Sequence, residues 1–140
     1  DTWTDRPISD GLALIGDAAG YSDPHLGQGL SLALRDVRIL SELLLAGEDW
    51  APAALQPYVE ERAERMRRLR FCAAVANTLR GEFGAEARER RRRARARMQA
   101  EPELALWRQA CLAGPDSVPA SAFHERIYER LFTPTFRVGT

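Results

Sequence analysis

The hydrophobic pattern changes period along the chain. Residues 12–15 form a continuous apolar run, Leu12-Ala13-Leu14-Ile15, with Gly11 before it and Gly16 after it. A run this short, bounded by glycine, predicts a buried strand. Residues 20–29 form a polar, turn-rich loop containing Pro24. The period then becomes helical. Leu30, Ala33, Leu34, Val37, Leu40 and Leu44 recur at three- and four-residue spacing, with Arg35, Arg38 and Glu42 on the other side. Gly47 stands where a C-terminal cap belongs.

Beyond Gly47 nearly everything reads as helix. Pro52 and Pro57 suit first-turn positions, so a short turn should precede a long helix from about Pro57. Val59, Ala63, Met66, Leu69, Ala73, Ala76 and Leu79 step by four and three and give that helix one apolar stripe, which Gly81 and Gly84 end. A third helix is expected over residues 85–100, and a fourth after Pro102 that stops before Gly114-Pro115. A fifth carries Phe123, Ile127 and Leu131 and stops at Thr133-Pro134. The pattern predicts a mainly α chain of about five helices and one short strand. A lone strand cannot satisfy its own backbone, which implies a sheet lying elsewhere.

Composition sharpens this picture at few points. The 140 residues suit a single domain, and 20 basic residues balance 20 acidic ones. No run approaches a membrane span, and the opening residues do not read as a secretory signal, so neither a membrane nor a secreted location is expected. A cytoplasmic protein is expected instead. Cys72 and Cys111 are too far apart for a Cys-x-x-Cys site. All 20 basic residues are arginine, which removes lysine-based catalysis. The charge is unevenly spread: residues 60–97 hold 13 arginines against six glutamates. The densest part, residues 88–97, has no interleaved aromatic for base stacking, and a solvated or internally paired face is expected over nucleic-acid or phospholipid binding.

The stretch that carries chemistry is residues 11–38. An apolar strand would deliver Gly16 and Asp17 to its C-terminal end, where open α/β sheets bind ligands. Gly16 has no side chain and would let a ligand approach the backbone. Asp17 offers a carboxylate that accepts hydrogen bonds from sugar-like hydroxyls. Gly27-Gln28-Gly29 then opens the helix whose N–H groups favour negative charge in the loop.

This arrangement resembles the second FAD-contacting motif of flavoprotein aromatic hydroxylases, the family typified by para-hydroxybenzoate hydroxylase. Gly16-Asp17-Ala18-Ala19, Pro24, Gly27-Gln28-Gly29 and Asp36 stand in the family's order and at its spacing. The resemblance implies that Asp17 binds a ribityl hydroxyl of FAD and that Pro24 lies near the reacting edge of the isoalloxazine. It places the backbone at Gly29 and Leu30 at the pyrimidine end of the flavin. Gly16, Asp17, Pro24, Gly27, Gln28, Gly29 and Leu30 are thus the candidate cofactor contacts. FAD is the implied cofactor, NAD(P)H the reductant, and an aromatic or polyketide-like small molecule the substrate. Gly20 stands where the family often has histidine, and Ser31 where it often has asparagine, which leaves the reaction class open to a flavin reductase or halogenase.

The family's N-terminal Gly-x-Gly-x-x-Gly is missing, since Leu30-Ser31-Leu32 follows Gly29 without a third glycine. The chain also opens without methionine. The expectation is a C-terminal portion of a Rossmann-like FAD/NAD(P)-binding enzyme, inactive alone. Residues 1–47 would carry the FAD motif and 48–140 a helical region. An exposed strand and stripe would make such a piece self-associate. A non-enzymatic helical interaction module is the competing reading. His25 has no companion ligands for a metal, and proton transfer near the flavin is its only catalytic candidacy. Trp3, Trp50 and Trp107 read as core or boundary anchors, and His124, Glu125 and Glu129 as a solvated face.

Overall fold

The computed structural model describes residues 2–21, 23–48 and 50–133. It is mainly α, as the pattern predicts. Among these residues there are five α-helices, α1 (Gly29–Ala46), α2 (Gln56–Arg80), α3 (Ala85–Ala100), α4 (Leu106–Ala113) and α5 (Glu125–Phe132). Four two-residue strands accompany them: β1 (Thr2–Trp3), β2 (Ile8–Ser9), β3 (Leu12–Ala13) and β4 (Gly20–Tyr21). They pair antiparallel as β1 with β4 and β2 with β3. Pro134 lies outside the described residues.

The buried, partnerless strand expected over residues 12–15 is corrected here. Only Leu12–Ala13 is strand, and its partner is local, across the turn at Asp10-Gly11, where Gly11 takes φ 67°. Leu12 is 54% exposed. The hairpin gives the strand a local partner, because the turn supplies the left-handed residue that a tight reversal needs.

The chain divides into two compact units, residues 1–73 and 74–140. In the first, Leu32 of α1 packs with Met66 and Leu69 of α2, while Leu40 packs with Leu55 and Tyr58. The stripe predicted for α1 is mostly not the one that is buried. Leu32, Asp36 and Leu40 face inward, and Leu30, Leu34, Val37 and Leu44 are exposed. Leucines stand on both sides of α1, so periodicity alone ranked the two faces wrongly. The helix ends at Ala46 as expected, although Gly47 is extended rather than left-handed.

In the second unit α3 buries Ala87, Ala94 and Met98, and contacts α5. Leu104, Trp107, Phe123, Ile127 and Leu131 complete that core. Phe123 sits in the short 3-10 turn Ala120–Phe123 before α5, not in the helix itself. Of the three tryptophans Trp107 is buried, Trp3 lies half-exposed beneath the Arg70 guanidinium at 3.8 Å, and Trp50 is exposed. His124, Glu125 and Glu129 are exposed, as expected.

Tyr58 ties α2 to the segment after β3. It is fully buried, and its hydroxyl donates to the Leu14 carbonyl at 2.7 Å. Burial, with the charge of Asp36 next in size, pushes the phenol from 10.0 up to about 12. The unfolded chain therefore ionises first. The stability contributed by neutral Tyr58 is whole below pH 10.0 and is lost as pH rises toward about 12. Tyr58→Phe should cost about 1 kcal/mol at neutral pH, because the Leu14 carbonyl loses its donor. Urea midpoints measured from neutral to alkaline pH should fall less steeply for the variant, and parallel curves would refute this.

Candidate functional site

Gly16–Ala19 forms one 3-10 turn, and side chains from α1 and α2 hold it from beneath. The Gly16 N–H donates to Asp36 Oδ2 at 2.8 Å. Arg62 Nη2 donates to the Gly16 carbonyl at 2.7 Å and to the Gly20 carbonyl at 3.3 Å, bracketing the turn. Asp36 is 0% exposed and pairs with Arg65 at 2.6 Å and Arg62 at 3.2 Å. Arg65 also pairs with Glu61 at 2.9 Å, and Glu61 receives Arg35 at 2.7 Å.

Buried charge is tolerated only when paired and hydrogen-bonded, and here one carboxylate faces two guanidinium groups. The arginine fork suits the task. A single Arg62 spans a carboxylate and two carbonyls, which a lysine ammonium on its flexible stem would not fix in the same plane.

Sequence reasoning missed Arg62 and Arg65, although a signal was present. Tyr58, Arg62, Arg65, Leu69, Cys72, Ala76 and Leu79 step by four and three, and all are buried. Of the predicted stripe, Met66, Leu69, Ala73, Ala76 and Leu79 are buried, and Leu69, Ala76 and Leu79 lie on this face. Upstream it starts one position too late, at Val59 and Ala63, which are half-buried and exposed. Running the stripe back from Leu69 lands on arginine.

The candidate contacts fall on one short segment of the first unit. Gly16 is buried at φ 54°, and a Cβ there would stand 3.2 Å from that of Ala33. The close approach this glycine permits is therefore to α1. Asp17 is exposed on the turn. Pro24 opens the 3-10 turn Pro24–Leu26, and Asp23 caps it by accepting the His25 N–H at 2.8 Å. Gly27, at φ 66°, closes that turn with its N–H on the Pro24 carbonyl at 2.9 Å. His25 is exposed.

Gln28 precedes α1 without a side-chain capping bond, and the first turn of α1 carries no acidic residue. Gly29 is exposed with nothing within 4 Å of a would-be Cβ, and Leu30 is 73% exposed. The backbone at the start of α1 is thus open to an outside acceptor. α1 packs directly against the Gly16–Ala19 turn, so the two halves of the candidate site are held by one scaffold.

The chain is similar to the ubiquinone hydroxylase UbiL of Rhodospirillum rubrum. The two share 43% identity over 58 residues, which are 38% of this chain and 14% of UbiL. The chain thus matches about one seventh of that hydroxylase's length. No family model and no solved structure matches it. Among the described residues no group of three His, Cys, Asp or Glu is placed to hold a metal ion. No helix among them is long and apolar enough to cross a membrane.

Proposed function

We propose that this chain forms one wall of the FAD site of a larger flavin-dependent hydroxylase, a monooxygenase that uses NAD(P)H and acts on a small aromatic or polyketide-like molecule. One observation carries the reading. The Gly-Asp turn is locked from beneath by Asp36 and Arg62, while Asp17 stays exposed on a turn that packs against α1, whose start is open. The likeness to a ubiquinone hydroxylase, over about one seventh of its length, supports the hydroxylase part of it.

The residues fit this group at one end. Asp17 supplies a carboxylate for ribityl hydroxyls. Pro24 would border the flavin's reacting edge. The N–H groups of Gly29 and Leu30, at the start of α1, would stabilise the electron-rich edge of the ring. Gly27 and Gln28 shape the entry to that helix. Bound FAD supplies the electron and oxygen chemistry. This chain's own contribution is to bind, to orient, and to offer oriented N–H dipoles without a cationic side chain.

The test uses the full reading frame that contains this chain. The purified product should carry flavin and oxidise NAD(P)H in response to substrate. Asp17→Ala should weaken FAD binding about tenfold to a hundredfold, the worth of a hydrogen bond to a charged group. The fold should persist, because Asp17 takes no part in the Asp36 network. A flavin-free product, or unchanged FAD affinity in the variant, would overturn the reading.

A further inference from the structure

We propose that the exposed face of α3 docks the protein onto a membrane surface containing anionic phospholipid. This goes beyond the flavin reading and does not depend on it. α3 carries seven arginines against Glu86 and Glu89. Arg88, Arg91, Arg92 and Arg95 line one shallow tract of surface with Ala96 and Gln99. Their three- and four-residue spacing puts them on one side of the helix, away from buried Ala87, Ala94 and Met98.

The expected solvated or internally paired face is present in both forms, with Arg88, Arg92, Arg93 and Arg95 exposed. Arg92 meets Glu89 at 2.8 Å and Arg90 meets Glu82. Arg91 donates to the Leu79 carbonyl at 3.3 Å and pairs with no carboxylate among the described residues. Arg93 lies close enough to Glu89 to help hold that carboxyl below its usual range, whereas the side chains of Arg88 and Arg95 have no hydrogen-bond or ion-pair partner among the described residues. Covering such a face with protein would need matching carboxylates and would desolvate each charge. A sheet of phosphates satisfies several guanidinium groups at once and leaves them hydrated at the rim.

A second feature selects the membrane over other polyanions. Phe83 is 87% exposed, in the short loop that leads through Gly84 into α3. An apolar ring beside a basic helix suits the headgroup region, where aromatic side chains settle. α3 itself shows no aromatic on which nucleic-acid bases could stack. The apolar residues of α3 are already buried in the core, so the helix would rest on the surface by charge, with Phe83 as its one inserted group. Such binding is reversible and weakens with salt.

The probes are vesicles of phosphatidylcholine alone and of phosphatidylcholine with phosphatidylglycerol, sedimented with the intact chain. Binding is expected only to the second, and it should fall as sodium chloride is raised. R88Q/R92Q/R95Q should weaken it about a hundredfold, from roughly a tenfold loss or less per arginine. F83S should weaken it about tenfold without removing the salt dependence. Circular dichroism should show unchanged helix content in both variants, whose altered side chains lie at the surface or half-exposed. Equal binding to both vesicles would overturn the proposal. So would unchanged binding by the triple variant, or capture of duplex DNA at a salt concentration where vesicles are not bound.

Discussion

Asp36→Ala should destabilise the first unit by about 3–5 kcal/mol, the usual cost of removing one partner from a buried ion pair. The size follows from what is stranded. Arg62, 4% exposed, keeps two carbonyl acceptors but loses the only carboxylate it pairs with among the described residues. Arg65 retains Glu61, and the Gly16 N–H loses its acceptor. Urea denaturation at neutral pH reads the loss directly. Asp36→Asn keeps an acceptor for Gly16 and should recover only a minority of the stability, because the charge is what the arginines require. Adding Arg62→Met to Asp36→Ala should restore part of it, as an apolar chain of similar length removes the stranded cation. A loss below about 1 kcal/mol would mean that water reaches the network.

Gly16→Ala should cost about 3–4 kcal/mol, and Gly27→Ala only about 1–2 kcal/mol, although the two glycines have similar backbones. Their φ values are 54° and 66°, so each substitution incurs left-handed strain of about 1–2 kcal/mol. They differ in surroundings. A Cβ at Gly16 stands 3.2 Å from that of Ala33 in a packed interior, while one at Gly27 meets nothing within 4 Å. Overpacking then adds about 1–3 kcal/mol at Gly16 alone. Paired melting curves test this. Equal losses would show that α1 shifts freely away from the turn, and that the turn is less firmly seated than its hydrogen bonds indicate.

How far the sequence discloses this fold depends on whether the deciding contact is local. α3 was legible to the residue, because Ala85–Ala100 is dense in strong helix formers and is bounded by Gly84 and Pro102. The start of α2 near Pro57 and the stop of α1 before Gly47 were legible for the same reason. The inward face of α1 was not. It contains Asp36, whose burial depends on Arg62 and Arg65 in the next helix, and neither residue alone announces that pairing. The β2–β3 hairpin escaped notice because Ile8–Ser9 is too short to show a period. At the candidate site the order of Gly16, Asp17, Pro24 and Gly27 was readable as a motif. That Gly16 serves helix packing, and that Arg62 seats the turn, required the packed structure.

The clamp around Gly16–Ala19 also sets what a ligand would gain there. A loop fixed at one N–H and two carbonyls by buried side chains has already surrendered its conformational freedom during folding. Whatever meets Asp17 binds a backbone that need not be ordered again, so more of the contact free energy would appear as affinity. By the same reasoning, variants beneath the turn, which touch no ligand, should weaken binding by loosening the loop while leaving Asp17 in place.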